Sequence, residues 1–110
     1  MTFEELNEAT IRWAEDKGIF DKSNEYHQFE KTLEEVNEVA LELSHRAHGV
    51  SDNLQDIESE VGDVVVTLVL MTKFLDLDLT KCLEVAYTKI SKRKGKMISG
   101  KFVKEEDLPK

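Results

Sequence analysis

The chain has 110 residues and a formal net charge of -8, with 35% charged and 40% hydrophobic residues. That length holds one domain around one core, and the composition is that of a folded chain. So acidic a balance excludes a general nucleic-acid binder, which needs a basic stripe. A small anionic substrate is still admitted if metal ions bring the positive charge.

The N-terminus carries no charged-then-apolar leader, so no secretory signal is expected. It reads as a helix start. Thr2 and Glu5 have capping-box spacing, and Phe3, Leu6, Thr10 and Trp13 recur at helical intervals. Gly18 suits a left-handed cap, which predicts a first helix over about residues 2–17. Residues 19–23 read as a connector, with Ser23 or Asn24 as the cap of the next helix. Phe29, Leu33, Val36, Ala40, Leu43 and Ala47 keep a 3–4 rhythm. That predicts one buried face on a long second helix, roughly residues 24–48, with Glu30, Lys31, Glu34 and Glu42 covering most of the rest and Gly49 ending it.

Ser51-Asp52-Asn53 is a cluster of N-cap residues ahead of a third helix. Leu54, Ile57, Val61, Val64, Leu68, Met71 and Leu75 continue at helical spacing. The run from Val64 to Leu70 is β-branched enough to suggest a strand, but the apolar period continues for about six turns, which predicts a helix. The run is also far short of the roughly 20 residues a membrane helix needs. Apolar residues on nearly all sides place this helix in the bundle centre or across a subunit interface. Asp76 to Asp78 reads as a turn, with Asp78 capping a fourth helix whose inner face is Leu79, Leu83, Ala86, Tyr87 and Ile90. Its basic end, Lys89, Lys92, Arg93, Lys94 and Lys96, complements the helix dipole by about 0.3–1 kcal/mol per charge. Gly95 and Gly100 break the helix, Phe102-Val103 docks back, and residues from about 104 to 110 fray. The expected architecture is all-α: one domain over residues 1–110, four main helices in a bundle. Cys82 is the only cysteine. It allows no intramolecular disulfide, fits a reducing cytoplasm, and without a histidine partner reads as packing.

Two stretches carry chemistry. Glu34-Glu35-Val36-Asn37-Glu38 gives Glu-Glu-x-x-Glu, and Glu60-Val61-Gly62-Asp63 gives Glu-x-x-Asp. Helical residues three or four apart share a face, with Cβ atoms about 5–6 Å apart. Glu35 therefore pairs with Glu38, and Glu60 with Asp63. An acidic run on a helix is most often a solvated face, but Glu60 and Asp63 sit on the most apolar element of the chain. They flank Gly62, which costs about 0.5–1 kcal/mol relative to Ala inside a helix and lets a neighbouring backbone approach. Four carboxylates brought together need protons or cations between them. An all-carboxylate donor set suits Mg²⁺ or Mn²⁺ better than zinc. Among weaker candidates, Trp13 reads as core or as a base-stacking platform, and His27 and Gln28 lie two turns before the first motif, within reach of a base or ribose. His45-x-x-His48 lacks a third zinc ligand.

The segment Lys31-Thr32-Leu33-Glu34-Glu35-Val36-Asn37-Glu38, followed by Glu60-Val61-Gly62-Asp63-Val64, resembles the MazG family of all-α nucleoside triphosphate pyrophosphohydrolases. The ending Lys89-Ile90-Ser91-Lys92-Arg93-Lys94-Gly95, then Gly100-Lys101-Phe102-Val103-Lys104, resembles its small single-domain, phage-type members. The likeness covers about residues 10–108. It implies a hydrolase that converts a (deoxy)nucleoside triphosphate to the monophosphate and pyrophosphate, by water attack at the α-phosphate, with Mg²⁺ or alternatively Mn²⁺. It assigns Glu35, Glu38, Glu60 and Asp63 to the metal, Glu34 to orienting or deprotonating the water, and Lys89, Lys92 and Arg93 to the phosphate tail. It also implies a homodimer or homotetramer with sites completed between subunits. Trp13 and Gln28 remain the candidates for base or ribose. Two other classes compete. A non-catalytic helical nucleotide-binding or regulatory module would be expected to have lost a carboxylate, and all five stand here. A di-iron carboxylate bundle expects Glu-x-x-His pairs, and neither motif ends in histidine.

Overall fold

The capping box at Thr2 and Glu5 forms in both directions. The Glu5 backbone N–H donates to Thr2 Oγ1 at 3.1 Å, and the Thr2 N–H donates to Glu5 Oε1 at 3.0 Å. It opens α1 (Phe3–Asp16) in a computed structural model that describes residues 1–50 and 52–109. Gly18 takes the left-handed conformation expected of it, at φ 73°. The connector then contains one helical turn of its own, α2 (Ile19–Lys22), and the Phe20 ring lies 5.0 Å from that of Phe74 on a later helix. Of the two cap candidates, Asn24 does the capping: its Oδ1 accepts from the His27 N–H at 2.8 Å and starts α3 (Glu25–Ala47). Gly49, at φ 66°, closes that helix.

Next comes α4 (Leu54–Phe74), helical throughout despite its β-branched run. Of the expected cap cluster, Ser51 lies outside the described residues. Asn53 holds the N-cap position but spends its side chain elsewhere, on Glu42. The end of α4 is a Schellman motif: Asp76 takes a positive φ of 56°, its N–H donates to the Lys73 carbonyl, and the Leu77 N–H reaches back to that of Thr72 at 2.8 Å. Asp78 caps α5 (Leu79–Ile90) through the Thr80 N–H at 2.7 Å.

The chain divides into two compact units, Met1–Thr80 and Lys81–Lys110. In the first, α4 is central and packs against both α3 and α1. Its buried set mixes Ala14, Val69 and Leu70 with Asn7, Thr32, Asn53, Thr67 and Thr72. This corrects the face expected of α3. The stripe turned toward α4 is Gln28, Thr32, Glu35, Val39 and Glu42, all buried or half-buried. The apolar rhythm of Phe29, Leu33, Val36 and Leu43 is about half exposed. Both stripes have helical period. The polar one wins the intrachain contact because its groups have partners on α4, and the apolar one is left facing outward. Phe3, Leu6 and Trp13 of α1 are likewise about half exposed.

The second unit holds most of α5 and a hairpin that breaker glycines alone did not reveal. Strands β1 (Gly95–Ile98) and β2 (Lys101–Lys104) pair antiparallel, with Ile98 opposite Lys101. Ser99 and Gly100 form the two-residue turn, both at positive φ, as a type I′ turn requires. Gly95 is constrained by proximity: a Cβ there would run into the Val103 carbonyl oxygen and the Phe102 ring. Where fraying was expected, the Glu105 N–H donates to the Lys94 carbonyl at 2.7 Å and Glu105–Asp107 form a 3-10 turn. Among the described residues no helix is long and apolar enough to cross a membrane.

Candidate active site

Two polar cross-links, one buried and one half-buried, define how α3 meets α4. Near the start of α3, the Thr32 hydroxyl lies 2.7 Å from that of Thr67, late in α4. Near the end of α3, Glu42 receives two hydrogen bonds from Asn53 Nδ2, at the start of α4: 2.8 Å to its carbonyl and 2.6 Å to its carboxylate. The helices therefore run antiparallel, and the two acidic motifs lie between the cross-links, opposite one another.

Glu35 from α3 and Glu60 and Asp63 from α4 each bring a carboxylate oxygen within 4.8 Å of the other two. Oxygens that share one Mg²⁺ ion stand about 3.0 Å apart when adjacent and about 4.2 Å when opposite, so these three would draw closer to hold one ion. The donor set is hard and anionic and fits that ion. The electrostatics agree. Burial first, then the carboxylates of Asp63, Glu35, Glu38 and Glu42, push the Glu60 carboxyl above the usual carboxylate range. Glu38 acts on Glu60 through this field but stands exposed, outside the three-residue group. Glu34 is also exposed and outside the group, with its carboxylate 3.5 Å from Lys31 Nζ.

Two members of the group, Glu35 and Asp63, line a cavity of about 560 Å³ together with Trp13, Lys17, Lys22 and Gln28 among others. The structure thus brings the two base or ribose candidates, Trp13 and Gln28, beside two of the metal candidates. Gln28 Nε2 donates to Ser23 Oγ at 3.1 Å, which fixes the amide and leaves its carbonyl oxygen free of that bond. His27 and Lys31 line the same cavity. Sequence alone does not single out Lys17, which closes the first predicted helix, or Lys22, which falls in the connector over residues 19–23. Two lysines around a left-handed glycine were the available signal.

In the second unit, Lys89 is exposed on the last turn of α5. Lys92 and Arg93 line a separate depression of about 460 Å³ with Lys94, Lys104, Glu105 and Glu106. Of the histidine pair, His48 Nδ1 lies 2.7 Å from the Ser44 carbonyl and His45 Nδ1 lies 4.0 Å from Glu42. Neither belongs to the carboxylate group.

Antiparallel helices that set Glu35 against Glu60 and Asp63, beside a cavity of about 560 Å³, define a mostly helical protein with a candidate acidic metal site. The model of the MazG nucleotide pyrophosphohydrolase domain matches residues 25–98. That span covers both motifs and well over half the chain, and the chain belongs to this family. Comparison with curated proteins and with solved structures gave no match.

Proposed function

We propose that the protein hydrolyses a nucleoside or deoxynucleoside triphosphate to the monophosphate and pyrophosphate. The observation that carries this reading is the double membership of Glu35 and Asp63. Both belong to the carboxylate group, and both wall the cavity that holds Trp13 and Gln28. At about 560 Å³ that cavity is within the usual 300–1,000 Å³ of small-molecule sites. The phosphates would lie at its carboxylate end and the base toward Trp13.

Glu35, Glu60 and Asp63, with Glu38 beside them, would hold Mg²⁺ or Mn²⁺. The ion, when bound, supplies charge that lowers the pKa of water and offsets the negative charge of the departing pyrophosphate. The water oxygen bonds to the α-phosphorus, the bond from that phosphorus to the bridging oxygen breaks, and pyrophosphate leaves. Glu34 is the candidate to orient this water and take its proton. Lys17, Lys22 and Lys31 in the cavity wall are placed to offset phosphate charge, and Lys89, Lys92 and Arg93 are proposed as further phosphate ligands. The working assembly is proposed to be a homo-oligomer that covers the outward apolar stripe of α3.

Pyrophosphate release from a panel of NTPs and dNTPs, with Mg²⁺, Mn²⁺ or chelator, tests the reading. Turnover should require the ion and vanish in Glu38→Ala and Asp63→Ala. A folded, metal-binding protein that releases no pyrophosphate from any of them would refute it for the standard nucleotides and favour the binding module.

A further inference from the structure

The two cross-links between α3 and α4 bracket the carboxylates. On α3 the order is Thr32, Glu35, Glu38, Glu42; on α4 it is Asn53, Glu60, Asp63, Thr67. Thr32 lies one turn from Glu35, Thr67 one turn from Asp63, and Glu42 one turn from Glu38. The Thr32–Thr67 contact is covered, with Thr32 7% exposed and Thr67 5%; at the other bracket Asn53 is 2% exposed and Glu42 is half-buried.

Polar contacts of this kind fix register in a way apolar contacts do not. A one-residue slip moves a helix by 1.5 Å and turns it by 100°. A hydroxyl pair at 2.7 Å does not survive that, whereas apolar surfaces repack. Single buried polar residues are known to set helix register at a cost in stability. The cost is visible here, since Asn53 Oδ1 is buried without a hydrogen-bond partner. The Thr pair also has fewer protons than contacts. Thr32 Oγ1 reaches the Gln28 carbonyl at 3.0 Å, Thr67 Oγ1 reaches that of Val64 at 2.7 Å, and the two hydroxyls meet each other. Two protons serve three contacts, so either threonine can lose its partner on the other helix and still satisfy its hydroxyl on its own.

We propose that Thr32–Thr67 and Asn53–Glu42 are positioning pairs that hold Glu35, Glu60 and Asp63 within one coordination sphere and so set the affinity of the site for its divalent ion. This rests on the metal-site part of the proposed function, and not on turnover. Groups that orient metal ligands typically change metal affinity 10- to 100-fold when removed.

The test is a Mn²⁺ titration of the full chain without nucleotide, by calorimetry, on wild type, Thr32→Val, Thr67→Val, the double variant and Thr32→Ser. Thr32 does not line the cavity, so its effect is not one of substrate contact. Each valine variant should bind Mn²⁺ roughly 10-fold more weakly. The double variant should be no worse than either single, because all three remove the same contact. Thr32→Ser, which keeps the hydroxyl, should restore binding. Asn53→Ala should weaken binding independently of the Thr pair, and circular dichroism confirms that each variant is folded. Wild-type Mn²⁺ affinity in a folded Thr32→Val with a lowered Tm would overturn the proposal and leave the pair a stability feature. So would a wild-type chain that binds no Mn²⁺. A chain that binds Mn²⁺ but cleaves no nucleotide would sink the pyrophosphohydrolase reading alone, because the affinities still decide this one.

Discussion

Lys31 Nζ lies 3.8 Å from Glu35 Oε1, with the lysine half exposed and the glutamate largely covered. A cation of the chain's own is therefore already in contact with the carboxylate group. It has two opposed effects. It screens Glu35 when no ion is bound, and it repels a divalent ion that arrives. Lys31→Met should tighten Mn²⁺ binding by about two- to five-fold, the scale of an exposed ion pair. It should also raise KM for the triphosphate, which loses a positive wall. A Mn²⁺ titration and a KM measurement on the same variant check both signs. Weaker Mn²⁺ binding would show instead that Lys31 holds Glu35 in place.

Glu60 gives the metal-free protein a definite pH response. Its carboxyl is raised above the usual range in the fold, by burial and by four acidic neighbours. The folded state therefore holds this proton more tightly than the unfolded chain does. The stabilisation is complete below the unfolded carboxylate value of about 4.3 and is lost as pH rises through the higher folded value. In chelator, Tm should fall across that window, and Glu60→Gln should flatten the fall. Mg²⁺ at neutral pH should raise Tm in wild type by mass action and much less in the variant. A wild-type Tm that Mg²⁺ does not move would contradict the site.

The four long helices were legible because caps and period agreed. Thr2 with Glu5, Gly18, Asn24, Gly49 and Asp78 all act where their chemistry suggested. The pairing of Glu60 with Asp63 could also be read, since helical spacing fixes it. Which stripe of α3 faces inward could not. Phe29, Leu33 and Val36 outrank Thr32 and Glu35 in any hydropathy pattern, and the choice between stripes was made by partners on α4 far away in sequence. The hairpin was missed for a local reason: Ser99-Gly100 is a turn dipeptide between short apolar-bearing segments, but Gly95 and Gly100 were weighed only as helix breakers. Glu38 illustrates the same limit. It shares a face with Glu35 by spacing, yet only Glu35 reaches the group with Glu60 and Asp63.

The outward stripe of α3 predicts an oligomer that one charge can break. Leu33 is 52% exposed, between Phe29 and Val36 on the same stripe. Contiguous apolar surface of this kind marks an interface more often than bare surface. Wild type should sediment as a homo-oligomer at micromolar concentration. Leu33→Asp, which leaves the intrachain face of α3 untouched, should sediment as a smaller species with little loss of helix content. A monomeric wild type would refute the assembly.

Trp13 offers the most direct view of the cavity, because it is the only tryptophan in the chain and stands in the same wall as Glu35 and Asp63. Stacking of a base on an aromatic ring is worth about 1–3 kcal/mol. Trp13→Ala should therefore raise KM by about 5- to 100-fold. Its Mn²⁺ affinity should be unchanged, since Trp13 supplies no oxygen to the carboxylate group. Trp13→Phe keeps a ring and should recover most of the loss. In wild type, a non-hydrolysable nucleotide analogue added with Mg²⁺ should quench the intrinsic fluorescence, with a midpoint that tracks KM across the nucleotide panel. An unchanged fluorescence together with an unchanged KM in Trp13→Ala would place the base elsewhere and return Trp13 to a packing role on the half-exposed face of α1.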